Sequence, residues 1–174
     1  MLIKRFLIVL SMLLTGAGGL RAQERSDTAR LKGEWVVEKV ETKLFTQEGN
    51  TLLETKTYTS PDDMKAINAF VPLSIRFGNH DCTITSPSGT ERGNYTVPQN
   101  GIFQYLEEEA LRQVRQQLKN RASRRELVGL AGTEYSYRLP QSSALVLNMP
   151  AAFYKDTNKN LAVKLVYTCY YRKK

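Results

Sequence analysis

Histidine is nearly absent from this chain: His80 is the only one in 174 residues. A transition-metal site would need several convergent imidazoles or thiolates, so none is expected. His80 also makes a poor catalytic base. It stands two residues from Cys82, a spacing of roughly 6–7 Å along a strand, too loose for a nucleophile–base contact. Its neighbours, Gly78-Asn79-His80-Asp81, read as a turn facing solvent. Cysteine is almost as scarce, with two residues, Cys82 and Cys169, and no CxxC pair. There is no glycine-rich phosphate loop and no serine elbow. Asp156-x-Asn158-x-Asn160 begins like a calcium loop, but Leu161 stands where glycine is needed and Tyr167 where the closing glutamate belongs. The carboxylate runs Asp62-Asp63 and Glu107-Glu108-Glu109 are adjacent in sequence, and adjacent side chains do not face one another. No catalytic residue, metal or cofactor is therefore expected.

Long apolar runs are missing too. The one apolar stretch, Phe6 to Leu14, is too short to span a bilayer. With Lys4 and Arg5 before it and Gly16, Gly18, Gly19 and Ala22 after it, residues 1–22 read as a secretory signal peptide. Cleavage is expected before Gln23, although Leu20, three residues before the cut, is larger than usual. Residues 23–30 are polar and read as a flexible lead-in. Residues 31–174 are the length of one domain with one core.

The formal charge is +8. With Lys4, Arg5 and Arg21 set aside, 22 basic residues face 17 acidic ones. Basic residues gather between Arg112 and Arg125 and at Arg172-Lys173-Lys174. Such a surface attracts phosphate or anionic headgroups, although solvated charge is the simpler account. No nucleic-acid motif is present, and nucleic acid is not an expected partner.

Alternation of period two dominates what remains. Leu31 to Thr42 holds the only tryptophan, Trp35, and starts the first strand. Both of its faces begin apolar, which predicts a bulge or a partly covered outer face. Leu52 to Thr59 is threonine-rich and suits an exposed strand. Ser60-Pro61-Asp62-Asp63 caps a short helix over Met64 to Phe70. Val71, Leu73, Ile75 and Phe77 share one face, and Cys82, Ile84 and Ser86 return after the turn. Gly93 to Val97 is a short strand. From Asn100 to about Arg125 the period changes: Phe103, Leu106, Ala110, Val114 and Leu118 form one stripe of an amphipathic helix, acidic early and basic late. A helix docked on the sheet is favoured over one lying on a membrane surface. A helical insertion is thus expected over about 101–130. Tyr135, Tyr137 and Leu139, then Leu145, Leu147 and Met149, then a loop over Pro150 to Asn160, and a long strand from Leu161 to Tyr171 finish the chain. Cys82 and Cys169 fall on apolar strand faces. An oxidising compartment permits a disulfide between them, and two separate buried thiols fit equally well.

Seven or eight strands joined by hairpin turns predict a mainly β fold, an antiparallel up-and-down barrel with a helical insertion; a curved antiparallel sheet in an α+β fold is the alternative. Gly33-x-Trp35 at the start of the first strand is similar to the GxW signature of lipocalins and related calycins. The tail, with Tyr135-x-Tyr137, Leu145-x-Leu147, an Asp/Asn loop and a last strand ending in Tyr170-Tyr171-Arg172, also resembles small lipocalin-like domains exported by Gram-negative bacteria. The resemblance implies that the tryptophan closes one end of the barrel under a basic residue, for which Arg172 is the candidate. It implies a periplasmic or outer-membrane location, with secretion open. The expected function is a non-catalytic binding module of the cell envelope, holding a small apolar or amphipathic ligand. Trp35, Ile75, Phe77, Tyr135, Tyr137 and Leu147 are its candidate lining, unless they fill a solid core. The alternative is an assembly subunit at the outer membrane that contacts an envelope protein through the basic helix over residues 106–125, with Arg112, Arg115 and Arg121 as its contact residues.

Overall fold

A computed structural model describes residues 27–67, 70–117, 132–157 and 160–174. The signal-peptide reading over residues 1–22 lies outside the described residues, as do Arg121 and Asn158.

A closed antiparallel barrel of eight strands forms the body. Strand β1 (Gly33–Thr46) is followed around the wall by β3 (Ser74–Phe77), β4 (Asp81–Ser86), β5 (Gly89–Gln99), β6 (Ile102–Glu107), β7 (Gly132–Gln141), β8 (Ala144–Asn148) and β10 (Leu161–Lys173). β10 then pairs back onto β1, from Trp35 opposite Lys173 to Thr46 opposite Val163. Strands adjacent in the wall are joined mostly by hairpins, as an up-and-down barrel requires. The expected bulge is present: the β1–β10 register shifts between Val37 and Lys39.

β1 and β10 are longer than the barrel is tall. Their overhanging halves take β2 (Leu52–Tyr58) and β9 (Ala152–Asp156) as outer neighbours. The result is a four-stranded extension, β2-β1-β10-β9, rising from one end. β9 occupies part of the stretch that reads as a loop in sequence. Its side chains are mostly exposed, so burial left no alternation there to find. Helix α1 (Pro61–Ile67) bridges β2 and β3 at the same end. The Ser60 hydroxyl accepts from the Asp63 amide at 3.5 Å, and Met64 is buried.

The expected helix from Asn100 needs correction. Ile102–Glu107 is a strand, and helix α2 spans Glu108–Gln117. Phe103 and Tyr105 are both buried. Their period-two spacing outweighs the three-residue step from Phe103 to Leu106, because a strand here buries two aromatic rings and completes the wall. Gly101, at φ +79°, makes the turn from β5.

One end of the barrel is shut by residues 27–31, a helical turn where the sequence suggests a flexible lead-in. Leu31 and Trp35 are fully buried, and the indole Nε1 donates to the Leu31 carbonyl at 2.6 Å. Tyr137 donates its hydroxyl proton to Asp27 at 3.2 Å, and Arg30 reaches the Leu139 carbonyl at 3.1 Å. The base cap is therefore tied to β7 as well as to β1. The residue over the tryptophan is Lys173, with Nζ 5.1 Å from the ring centroid. Arg172 is not the cover. It neighbours Lys173 on a strand, so it points to the other face, where it pairs with Glu38 at 3.0 Å.

Candidate ligand site at the open end of the barrel

All six lining residues expected from sequence lie on the barrel's inner side. Trp35, Ile75, Phe77, Tyr137 and Leu147 are buried, and Tyr135 is partly so. They pack against one another and against Phe103. Phe77 meets Tyr95 edge-on at 4.9 Å and Phe103 at 5.3 Å, and Phe103 stacks on Tyr135 at 5.0 Å. Tyr171 sends its hydroxyl to the Pro72 carbonyl at 2.8 Å. The half of the interior nearest Trp35 is an interlocked aromatic core.

The open half is different. Tyr95 faces inward, so Gly93 and Glu91, at alternate positions of β5, do too. Phe103 and Tyr105 face inward, and Glu107 continues that row on β6. Gly93 pairs with Glu107 across the two strands, which makes Glu91 and Glu107 diagonal neighbours. The Gly93 position needs glycine for space. A Cβ there would stand 2.2 Å from the Leu106 carbonyl oxygen and 2.9 Å from Tyr105 Cε2. Tyr105 thus lies across bare backbone, and its hydroxyl is buried with no hydrogen-bond partner among the described residues. An unsatisfied buried hydroxyl costs about 1–3 kcal/mol, so this one is an invitation to a ligand or an ordered water.

The electrostatics agree with that geometry. Burial, followed by the charge of Glu107, raises the Glu91 carboxyl above its ordinary range. Burial holds the Tyr105 phenol well above its usual value, with the Cys82 thiol, Glu91 and Glu107 adding to the effect. Tyr135 is pushed up to about 12, again by burial first and then by Glu91. The open end therefore offers neutral phenols beside two carboxylates, one of them reluctant to ionise.

Above this layer the inner face continues onto the four-stranded extension. There α1 and the strands enclose a cleft of about 370 Å³ lined by Leu44, Tyr58, Ile67, Tyr154 and Tyr167, with Glu54 and Lys56 among its polar groups.

Cys82 and Cys169 are free, buried thiols, and the disulfide is corrected accordingly. β10, β1, β3 and β4 are successive in the wall, so the two cysteines sit three strand steps apart. Around a small barrel that is a chord of roughly 12 Å, beyond bridging range. His80 is exposed in its turn, with its carbonyl accepting from the Tyr95 amide at 2.9 Å. Cys82 points inward from β4, so the two form no catalytic pair. Among the described residues no cluster of histidine, cysteine and carboxylate side chains could hold a metal ion.

Arg112 and Arg115 lie on α2, beside a groove of about 1010 Å³ between that helix and the outer wall. Glu91, Tyr105 and Glu107 were not legible as a site. The available signal was Glu91 two residues before Gly93 and four before Tyr95, a charge on an inward-facing row. No family model matches the chain, and no curated protein matches it.

Proposed function

We propose that this protein is a non-catalytic, lipocalin-like binding module of the cell envelope, exported by its amino-terminal segment, which holds a small amphipathic ligand at the open end of the barrel. The observation that carries this reading is the Tyr105 hydroxyl, buried without a partner among the described residues, above an aromatic core and beside Glu91 and Glu107. A ligand with a polar head and an apolar body answers both halves of that environment. Its head supplies the missing hydrogen bond, and its body lies along Tyr135 and the apolar wall of the α1 cleft. Native mass spectrometry of protein extracted gently from its own envelope tests this. The expected result is a mass excess of one small molecule, lost in Tyr105→Phe. Bare protein in every preparation would sink the proposal.

A second reading, an assembly subunit at the outer membrane, has its own observation. Leu52, Leu53 and Phe153 are exposed on β2 and β9, the unpaired edges of the extension, and exposed strand edges recruit further chains. Co-purification of an envelope protein that Leu53→Lys with Phe153→Lys abolishes would favour it.

A further inference from the structure

We propose that the groove between α2 and the outer wall of the barrel is a binding site for a ligand bearing more than one phosphate group. This is independent of what occupies the barrel interior.

The wall contributes a cross-strand row. Arg76 on β3 pairs with Thr83 on β4, and Thr83 pairs with Arg92 on β5. All three belong to the outward-facing set, so two arginines bracket one hydroxyl with their backbones roughly 10 Å apart. The helix contributes the facing side. Glu108, Leu111, Arg112, Arg115 and Gln116 line the groove, at steps of three, one, three and one, which is a single helical face. Ala110, Leu111 and Val114 are partly buried while Arg112 and Arg115 are exposed, so the helix meets the protein by its apolar edge and carries its arginines along the rim of the groove. No residue of α2 is fully buried, and the groove of about 1010 Å³ between the two surfaces is not filled by apolar packing.

Four guanidinium groups line the groove with the carboxylates of Asp81 and Glu108, and at its edge Arg92 and Arg112 also border Glu91, Glu107 and Glu109. Arg112 pairs with Glu109 on its own helix. Arg76, Arg92 and Arg115 make no ion pair among the described residues. The Asp81 carboxylate lies over Gly78 at the edge of the groove. Arg76 and Arg115 do not border the acidic edge of Glu91, Glu107 and Glu109, and an anion that joins them offsets their mutual repulsion. Guanidinium forks match phosphate oxygens two at a time, which a scattered set of lysines would not do. Two arginines across a gap of this width suit phosphates carried at separate points of one molecule.

Those phosphates come either from a soluble polyphosphorylated compound or from lipid headgroups. The experiment uses the full chain with two probes: inorganic tripolyphosphate by titration calorimetry, and flotation with phosphatidylcholine vesicles with and without phosphatidylglycerol. Saturable tripolyphosphate binding is expected, weakened roughly tenfold by Arg76→Gln and by Arg115→Gln. Arg138→Gln, on the outer face of β7, should leave it unchanged. If the source is lipid, wild type floats only with the anionic vesicles and tripolyphosphate releases it. If the source is soluble, tripolyphosphate binds and no vesicle does. Circular dichroism confirms that each variant folds. The proposal is overturned if neither probe binds saturably, or if Arg138→Gln weakens binding as much as the groove variants, since that is the behaviour of diffuse surface charge.

Discussion

The ammonium of Lys173 lies 5.1 Å from the centre of the Trp35 ring, and Gly33 is what makes room for it. Lys173 is opposite Trp35 in the β1–β10 register, and its Nζ also donates to the Arg30 carbonyl at 3.1 Å. A Cβ on Gly33 would stand 2.7 Å from Lys173 Cε. Glycine, tryptophan and lysine thus form one device, which joins the ends of the barrel's first and last strands.

Gly33→Ala should destabilise the protein. Gly33 has φ +120°, a conformation that costs an alanine about 1–3 kcal/mol. The lysine contact adds less, because the end of a flexible side chain can move. Lys173→Met should cost about 1 kcal/mol through the lost cation–π contact. Urea unfolding measures both, and a Gly33→Ala midpoint equal to wild type would contradict the account.

Glu91→Gln should raise stability at neutral pH. Burial and Glu107 both disfavour the charged carboxylate, so the fold is better off with a neutral side chain there. The gain is small, because the group keeps some solvent. A lower midpoint for Glu91→Gln would show that the carboxylate makes a favourable contact instead.

Stability should fall in alkali. Burial raises the thiols of Cys82 and Cys169 from 9.0 to about 12 and the phenols of Tyr95 and Tyr135 from 10.0 to about 12. The folded chain keeps protons that the unfolded chain releases. Stabilisation is therefore complete below pH 9 and is lost as pH rises toward 12. Urea midpoints measured across that window should decline, and Cys82→Ala should flatten the decline. A flat wild-type profile would refute the burial of these groups.

Both cysteines should react with iodoacetamide in denaturant without reductant, adding two alkyl groups per chain. In the folded protein both should be protected, since each is buried and held as the neutral thiol. An unfolded, unreduced chain that takes up none would establish the bridge that the strand spacing disallows.

Much of the wall can be read from the amino acids in order. The row Leu73, Ile75, Phe77 and the row Tyr135, Tyr137, Leu139 appear as alternations because one face of each strand is wet and the other dry. β9 and the start of β6 were harder. β9 is exposed along most of its length, so no contrast marks it. Phe103 and Leu106 fit a helical stripe as well as Phe103 and Tyr105 fit a strand, and only the neighbouring strands break that tie.

Local chemistry by itself determined the strands with two unlike faces, the turns between them and the capped helix at Ser60, because each depends on residues a few positions apart. Only the tertiary structure decided that Lys173 rather than Arg172 covers the indole, that the two thiols stand apart, and that Arg76, Arg92, Arg112 and Arg115 share one groove. Those relations depend on register and on closure of the wall, where a shift of one residue turns a side chain to the opposite face.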